Sequence, residues 1–178
     1  MEQLDGKKVA FIIFDNFEQV EYTSPRDALE QAGATTHLLS PNDGQLQGLN
    51  HIDKADTFDV DMKLSEANPD DYDAIVIPGG TVNADSLRTD EDAQKWLKRF
   101  IEADKPTAVI CHGPWLVVSA GMAEDRTLTS YPTLQDDIKN AGGNWVDETV
   151  VIDGPLITSR NPDDLPAFNK AINDALSV

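Results

Sequence analysis

Thr107-Ala108-Val109-Ile110-Cys111-His112-Gly113-Pro114-Trp115 is the stretch on which the fold turns. An apolar run stops abruptly at a cysteine, and Gly113-Pro114 breaks the chain and opens a helix, as proline does at a first helical turn. This is the strand, sharp turn and helix of a nucleophile elbow, which pushes the side chain at the turn out at the carboxyl end of a sheet. A lone cysteine is usually a small buried hydrophobe. A core cysteine needs neither an adjoining histidine nor a Gly-Pro break, so the context points to a reactive thiol. The helix start behind it favours a thiolate and later an oxyanion, and a strained backbone with a lowered thiol pKa is expected at Cys111.

Outward from this segment, Val9 to Phe14 and Ala74-Ile75-Val76-Ile77 repeat the uninterrupted apolar run. Such runs suit strands buried on both faces of a parallel sheet. Ala93, Trp96, Leu97, Phe100 and Ile101 form one helical stripe, and Leu165, Phe168, Ile172 and Leu176 form another after Asn161-Pro162-Asp163-Asp164. Shorter helices are expected over 23–33 and 132–141, a strand over 35–39, and a strand pair over 149–152 and 156–158 around Asp153-Gly154-Pro155. Strands alternating with helices predict an α/β sandwich with a mostly parallel sheet. No linker or repeat interrupts residues 1–178, which read as one domain.

Composition narrows the function. The 178 residues are 40% hydrophobic, enough chain to bury a core without staples. One cysteine excludes an intramolecular disulfide, and three scattered histidines, His37, His51 and His112, give no Cys/His zinc spacing, so no metal is expected; any cofactor would have to bind some other way, and none is expected. Fourteen Lys and Arg against 32 Asp and Glu leave a charge of −18, the wrong sign for nucleic acid or an anionic membrane. The acids form a solvated surface and not a tail, since the acidic stretch 51–73 carries Phe58, Val60, Met62, Leu64 and Tyr72. No run suits a secretion signal or a bilayer span, and a cytoplasmic protein is expected.

Three further segments join Cys111 in carrying chemistry. His112 has two open roles: its ring as base or ion-pair partner for the thiol, or its backbone N–H as one half of an oxyanion hole. Pro78-Gly79-Gly80 follows an apolar strand, and the Gly80 N–H is a natural second donor, because paired glycines expose backbone to a substrate. Glu18 and Glu21, spaced i, i+3, face one way if they share a helical turn, and each then raises the pKa of the other. A protonated one could donate a hydrogen bond to a thiolate or sulfinate. The plainer reading of both acids is as partners of a helix dipole.

Ile-Cys-His-Gly-Pro-Trp over 110–115, Pro-Gly-Gly over 78–80, Phe17-Glu18-x-x-Glu21, Thr129-Ser130-Tyr131-Pro132 and Thr158 to Leu165 resemble, in order and over nearly the whole chain, the PfpI branch of the ThiJ/PfpI superfamily. The resemblance implies a flavodoxin-like three-layer sandwich with helices on both sheet faces, akin to class I glutamine amidotransferase domains. It implies a nucleophile at Cys111 with His112 beside it, oxyanion donors from Gly80 and His112, the Glu21 carboxyl against the thiol with Glu18 next to it, and Tyr131 at the pocket. It further implies a homo-oligomer, dimer or higher, with Cys111 near a subunit boundary. In some relatives an acid after Pro-Gly-Gly completes a triad across subunits; here Gly79-Gly80-Thr81-Val82-Asn83-Ala84-Asp85 offers Asp85 on a longer loop. An aspartate so displaced weakens a protease-type triad. The expected function is a stress-response, cysteine-dependent enzyme acting on a carbonyl carbon of a small molecule or peptide, glyoxalase- or deglycase-like or an intracellular cysteine peptidase. The alternative is a redox-sensing or chaperone-like stress protein whose cysteine is oxidised.

Overall fold

A computed structural model describes residues 3–178. Eighteen elements matter here. The first are β1 (Lys8–Ile12), β2 (Phe17–Glu18), α1 (Val20–Gln31), β3 (Thr35–Ser40), β4 (Gln45–Asn50), β5 (Asp53–Asp59) and β6 (Met62–Lys63). The middle of the chain adds β7 (Ala74–Ile77), α2 (Thr81–Leu87), α3 (Glu91–Glu102), β8 (Thr107–Ile110) and α4 (Pro114–Ser119). The last are β9 (Thr127–Leu128), α5 (Gln135–Asn140), β10 (Asn144–Trp145), β11 (Val151–Asp153), β12 (Leu156–Ser159) and α6 (Leu165–Leu176).

The central sheet has seven strands in the order β11-β12-β8-β7-β1-β3-β6. Every pairing in it is parallel except β11 with β12. Its apolar runs are buried on both faces because alternate side chains enter different cores. Ala10, Ile12, Ile75, Ile77 and Val109 pack with Leu97 and Phe100 of α3, Leu116 of α4 and Ile138 of α5. Val9, Phe11, Val76, Ala108 and Ile110 pack with Leu29 of α1 and Phe168 and Ile172 of α6. The result is the three-layer sandwich, and the period-2 geometry of a strand is why unbroken hydrophobicity was needed to build it.

The chain leaves β1 for β3 on one side and returns to β7 on the other, so a crevice opens beyond the carboxyl ends of these strands. A second sheet, β2-β4-β5, stands over that crevice. Its β4–β5 hairpin turns at His51 and Ile52, with His51 in the left-handed region at φ 58°. The acidic stretch 51–73 is thus folded: its first part belongs to the hairpin, and the rest is β6 of the central sheet with two 3-10 turns, Leu64–Glu66 and Pro69–Asp71.

Several boundaries move. The helix expected over 23–33 begins at Val20, so Glu21 is helical while Glu18 lies on β2, and the two acids do not share a helical turn. Gln19 separates them because its backbone N–H bonds Leu49 O and draws the preceding residues into the hairpin sheet. The expected helix over 132–141 is a 3-10 turn, Pro132–Leu134, followed by α5. The strand expected over 149–152 is β11, antiparallel to β12 as a strand pair should be. No helix among the described residues is long and apolar enough to cross a membrane.

Candidate active site

Cys111 sits one residue past β8 with φ 64°, the left-handed strain expected of an elbow. Backbone contacts over-determine it: Cys111 N–H donates to Ser159 O at 3.1 Å, Gly113 N–H to Ile110 O at 2.9 Å, and Tyr131 N–H to Cys111 O at 2.8 Å. A side chain at Gly113 would approach Val109 Cγ1 to 2.7 Å and Ile110 O to 2.9 Å, so the turn can close only on glycine. The sulfur faces a cavity of about 1070 Å³, yet Cys111 as a whole is only 7% exposed.

Glu21 comes to the sulfur from α1 and is fully buried. Its Oε1 accepts the Gly79 N–H at 2.8 Å, while Oε2 completes no hydrogen bond although the carboxyl lies close enough to the thiol for each to perturb the other's titration. Burial pushes the Glu21 pKa up to about 8, against the Gly79 N–H, with the charge of Glu18 adding to the rise. The group is therefore a carboxylic acid at neutral pH, with an O–H to donate. Glu18 is half-buried and lines the same cavity, its carboxylate accepting the His51 backbone N–H at 3.2 and 3.3 Å.

The expected low thiol pKa is not what this pocket gives. Burial pushes the Cys111 thiol well above the ordinary range, a charged Glu21 would push it further, and the backbone N–H groups of Gly80 and His112, which bond the sulfur, pull it back. Desolvation outweighs the two backbone donors. Both contributions of Glu21 depend on its charge: once protonated it ceases to repel a thiolate and becomes a donor to it.

His112 has both of its open roles available. Its N–H and that of Gly80 converge on the sulfur, and its Nδ1 also lies 3.2 Å from Sγ. Burial lowers the imidazole pKa below its usual value, so the ring is neutral at pH 7 and can accept the thiol proton. Two aromatic rings hold it. Tyr131, 37% exposed, stacks on it with centroids 4.6 Å apart, and Trp115 meets it edge-on at 5.3 Å. Trp115 is itself fixed, Nε1–H donating to Asp137 Oδ2 at 2.9 Å under the Arg88 guanidinium.

Gly80 takes φ 90°, and an added Cβ there would come within 2.7 Å of Glu18 N; one on Gly79 would meet Cys111 Cβ at 2.6 Å and Glu21 Oε1 at 2.7 Å. The loop must be glycine for thiol and acid to meet across it. Asp85 does not join them: it is exposed on α2, outside the cavity, with no bond to His112. The polar side chain of this loop that turns inward is Asn83, fully buried, whose Nδ2–H groups donate to Pro78 O at 3.0 Å and Gly79 O at 2.9 Å while Oδ1 accepts the Phe14 N–H at 2.7 Å. Helical spacing explains the exchange, since positions two apart on α2 face different ways. Asn83 was legible as a polar residue three after Gly80; only its burial marks it as the brace. The hairpin tip, His51 and Ile52, is the other part of the cavity wall that the sequence does not announce.

Comparison with known proteins agrees with the fold. Residues 7–175 match the model of the DJ-1/PfpI family. The chain is 42% identical over 169 residues to the uncharacterized protein SERP1413 of Staphylococcus epidermidis, covering 94% of this chain and 96% of that one. It is likewise 42% identical over 168 residues to the uncharacterized protein SAV1875 of Staphylococcus aureus, covering 93% and 96%. Among solved structures, a two-domain protein of Anabaena variabilis with DJ-1/ThiJ/PfpI-like and ferritin-like domains superposes with TM-score 0.90 at 32% identity; the match covers 96% of this chain and 48% of that protein, about half its length. DJ-1beta of Drosophila melanogaster superposes with TM-score 0.87 at 26% identity, covering 96% and 90%.

Proposed function

This chain belongs to the DJ-1/PfpI family, and from that we propose that it is a cysteine-dependent enzyme that converts small α-ketoaldehydes through a covalent Cys111 adduct. The observation that carries the reading is Glu21: a buried, protonated carboxyl beside the thiol with one oxygen unpartnered. The thiol passes its proton to His112 Nδ1 as sulfur attacks the aldehyde carbon, so that a C–S bond forms and the carbonyl pair moves onto oxygen between the Gly80 and His112 N–H groups. Glu21 gives its proton to that oxygen and becomes the base that removes the hydrogen from the same carbon, while His112 returns its proton to the neighbouring enolate oxygen. Protonation of the adjacent carbon by Glu21, with return of the hydroxyl proton to it, leaves a 2-hydroxyacyl thioester. Water releases the 2-hydroxy acid and the thiol, for a net reaction of ketoaldehyde plus water.

Peptide hydrolysis is the weaker reading, because among the described residues no carboxylate is bonded to His112, and Asp85 lies outside the cavity. Glu21→Gln is expected to lower kcat on an α-ketoaldehyde by about 10²–10⁴-fold, the usual effect of removing a positioned proton-transfer group. Asp85→Asn should leave it within about twofold. Collapse of a peptidase activity in Asp85→Asn with Glu21→Gln unimpaired would reverse the assignment. A second reading rests on the same unpartnered oxygen: two equivalents of peroxide would each deliver one oxygen to sulfur and leave as water, and the Glu21 O–H would hold the resulting sulfinate. Burial of the thiol weighs against it, and intact mass after mild peroxide tests it.

A further inference from the structure

The chemistry at Cys111 leaves open which carbonyl compounds can reach it, and the cavity walls speak to that. None of the described residues that line the cavity is Lys or Arg, while Glu18 stands on one wall and Asp163 on the rim. The cations on adjoining elements are committed elsewhere. Arg160, next to the rim segment 161–163, is bound by both carboxylate oxygens of Asp164 at 2.9 Å and by Asp147 at 2.9 Å. Arg88 bonds Ser119 and covers Trp115, and Lys54 is exposed on β5 outside the lining. His51 and His112, the remaining basic groups of the cavity, sit beside Glu18 and Cys111 respectively.

The donors that favour negative charge in the cavity are therefore the backbone N–H groups of Gly80 and His112, which bond the Cys111 sulfur and so serve the reacting centre alone. Any second anionic group on a substrate would face Glu18 or Asp163 instead, in a cleft with low-dielectric walls on a chain of net charge −18. We propose that the cavity is a charge filter, admitting neutral and cationic carbonyl compounds to Cys111 and turning away those that carry a carboxylate, sulfonate or phosphate. The inference deepens the enzymatic reading, since it takes Cys111 as the group that reacts, but it can be tested without turnover.

Two methanethiosulfonate reagents of similar size serve as probes, bearing a trimethylammonioethyl or a sulfonatoethyl group, and the smaller methyl reagent serves as the uncharged reference. In each the Cys111 sulfur attacks the sulfenyl sulfur, a disulfide forms, methanesulfinate departs with the bonding pair, and the thiol proton passes to solvent. Rates are followed by intact mass and divided by the rate of the same reagent with 2-mercaptoethanol. At low ionic strength the cationic reagent should exceed the anionic one by about tenfold or more, the lower end of the rate effect of a charged cleft. The ratio should contract in high salt, where the Debye length falls to about 3 Å. Asp163→Asn should narrow it, whereas Asp104→Asn, the same loss of charge ahead of the amino end of β8 and outside the cavity lining, should not. Equal normalised rates, a faster anion, or equal narrowing by the two variants would overturn the proposal. If the order holds but no α-ketoaldehyde is turned over, the enzymatic reading falls and the filter stands. If a carboxylate-bearing ketoaldehyde is turned over as fast as a neutral one, the filter falls and the enzyme stands.

Discussion

Glu21 illustrates how one buried residue couples function to stability. Its pKa is about 8 in the folded protein against an ordinary value of 4.5, so between those limits the folded state binds a proton that the unfolded state has lost. Folding stability must then fall as pH rises through this window, by up to roughly 4–5 kcal/mol if the whole shift is expressed. Glu21→Gln, which has no proton to lose, should remove that slope. Urea midpoints from pH 5 to 8.5 are expected to decline more steeply for the native protein than for the variant, with Glu21→Gln the more stable of the two at pH 8 although nearly inactive. Parallel curves would mean that Glu21 is not held protonated. Burying a carboxyl as Glu21 is buried costs folding stability at neutral pH, as the proposed role would require.

At the scale of elements, the cavity depends on how the β4–β5 hairpin is tied to the rest. Gln19, between β2 and α1, holds it at both ends of its side chain: Nε2–H donates to Asp56 Oδ2 and Oε1 accepts the Asp56 N–H, both at 2.8 Å. Its backbone O accepts the first N–H groups of α1, from Tyr22 and Thr23, so hairpin and Glu21 helix share one anchor. Gln19→Ala removes two hydrogen bonds worth about 0.5–1.5 kcal/mol each. We expect faster amide exchange over residues 48–57 and a KM raised by roughly 3–10-fold with kcat much less changed, because the wall loosens while Cys111, Glu21 and the Gly80 loop stay in place. An unchanged KM with unchanged exchange would show that the hairpin is held by other contacts.

For the whole molecule, the charge of −18 and the cavity mouth pull in different directions. Val20, Ile52, Val82 and Tyr131 are exposed around the opening, Ile52 at 91%. The homo-oligomer that the family resemblance implies would cover such side chains, and burying them favours association while like charge opposes it. Screening weakens only the second effect, so sedimentation should find a dimer or larger species that tightens from low to high salt. A monomer at both ionic strengths would defeat that expectation.

The sequence by itself determined the layers and the chemistry-bearing turns. Runs such as Val9 to Phe14 and Thr107 to Ile110 can be satisfied only by burial on both strand faces, and Cys111-His112-Gly113-Pro114 permits few backbone paths, so both are local properties that a linear reading captures. The direction of the Cys111 titration, the exchange of Asp85 for Asn83, the separation of Glu18 from the Glu21 helix and the hairpin wall were decided by the tertiary structure. Each depends on segments far apart in sequence. Gln19 is drawn to Leu49, Asn83 to Phe14 and Glu21 to Gly79, and the desolvation that sets the Glu21 and Cys111 protons arises only when those segments close over them. A motif specifies which groups meet, but the water excluded around them is a property of the assembled core.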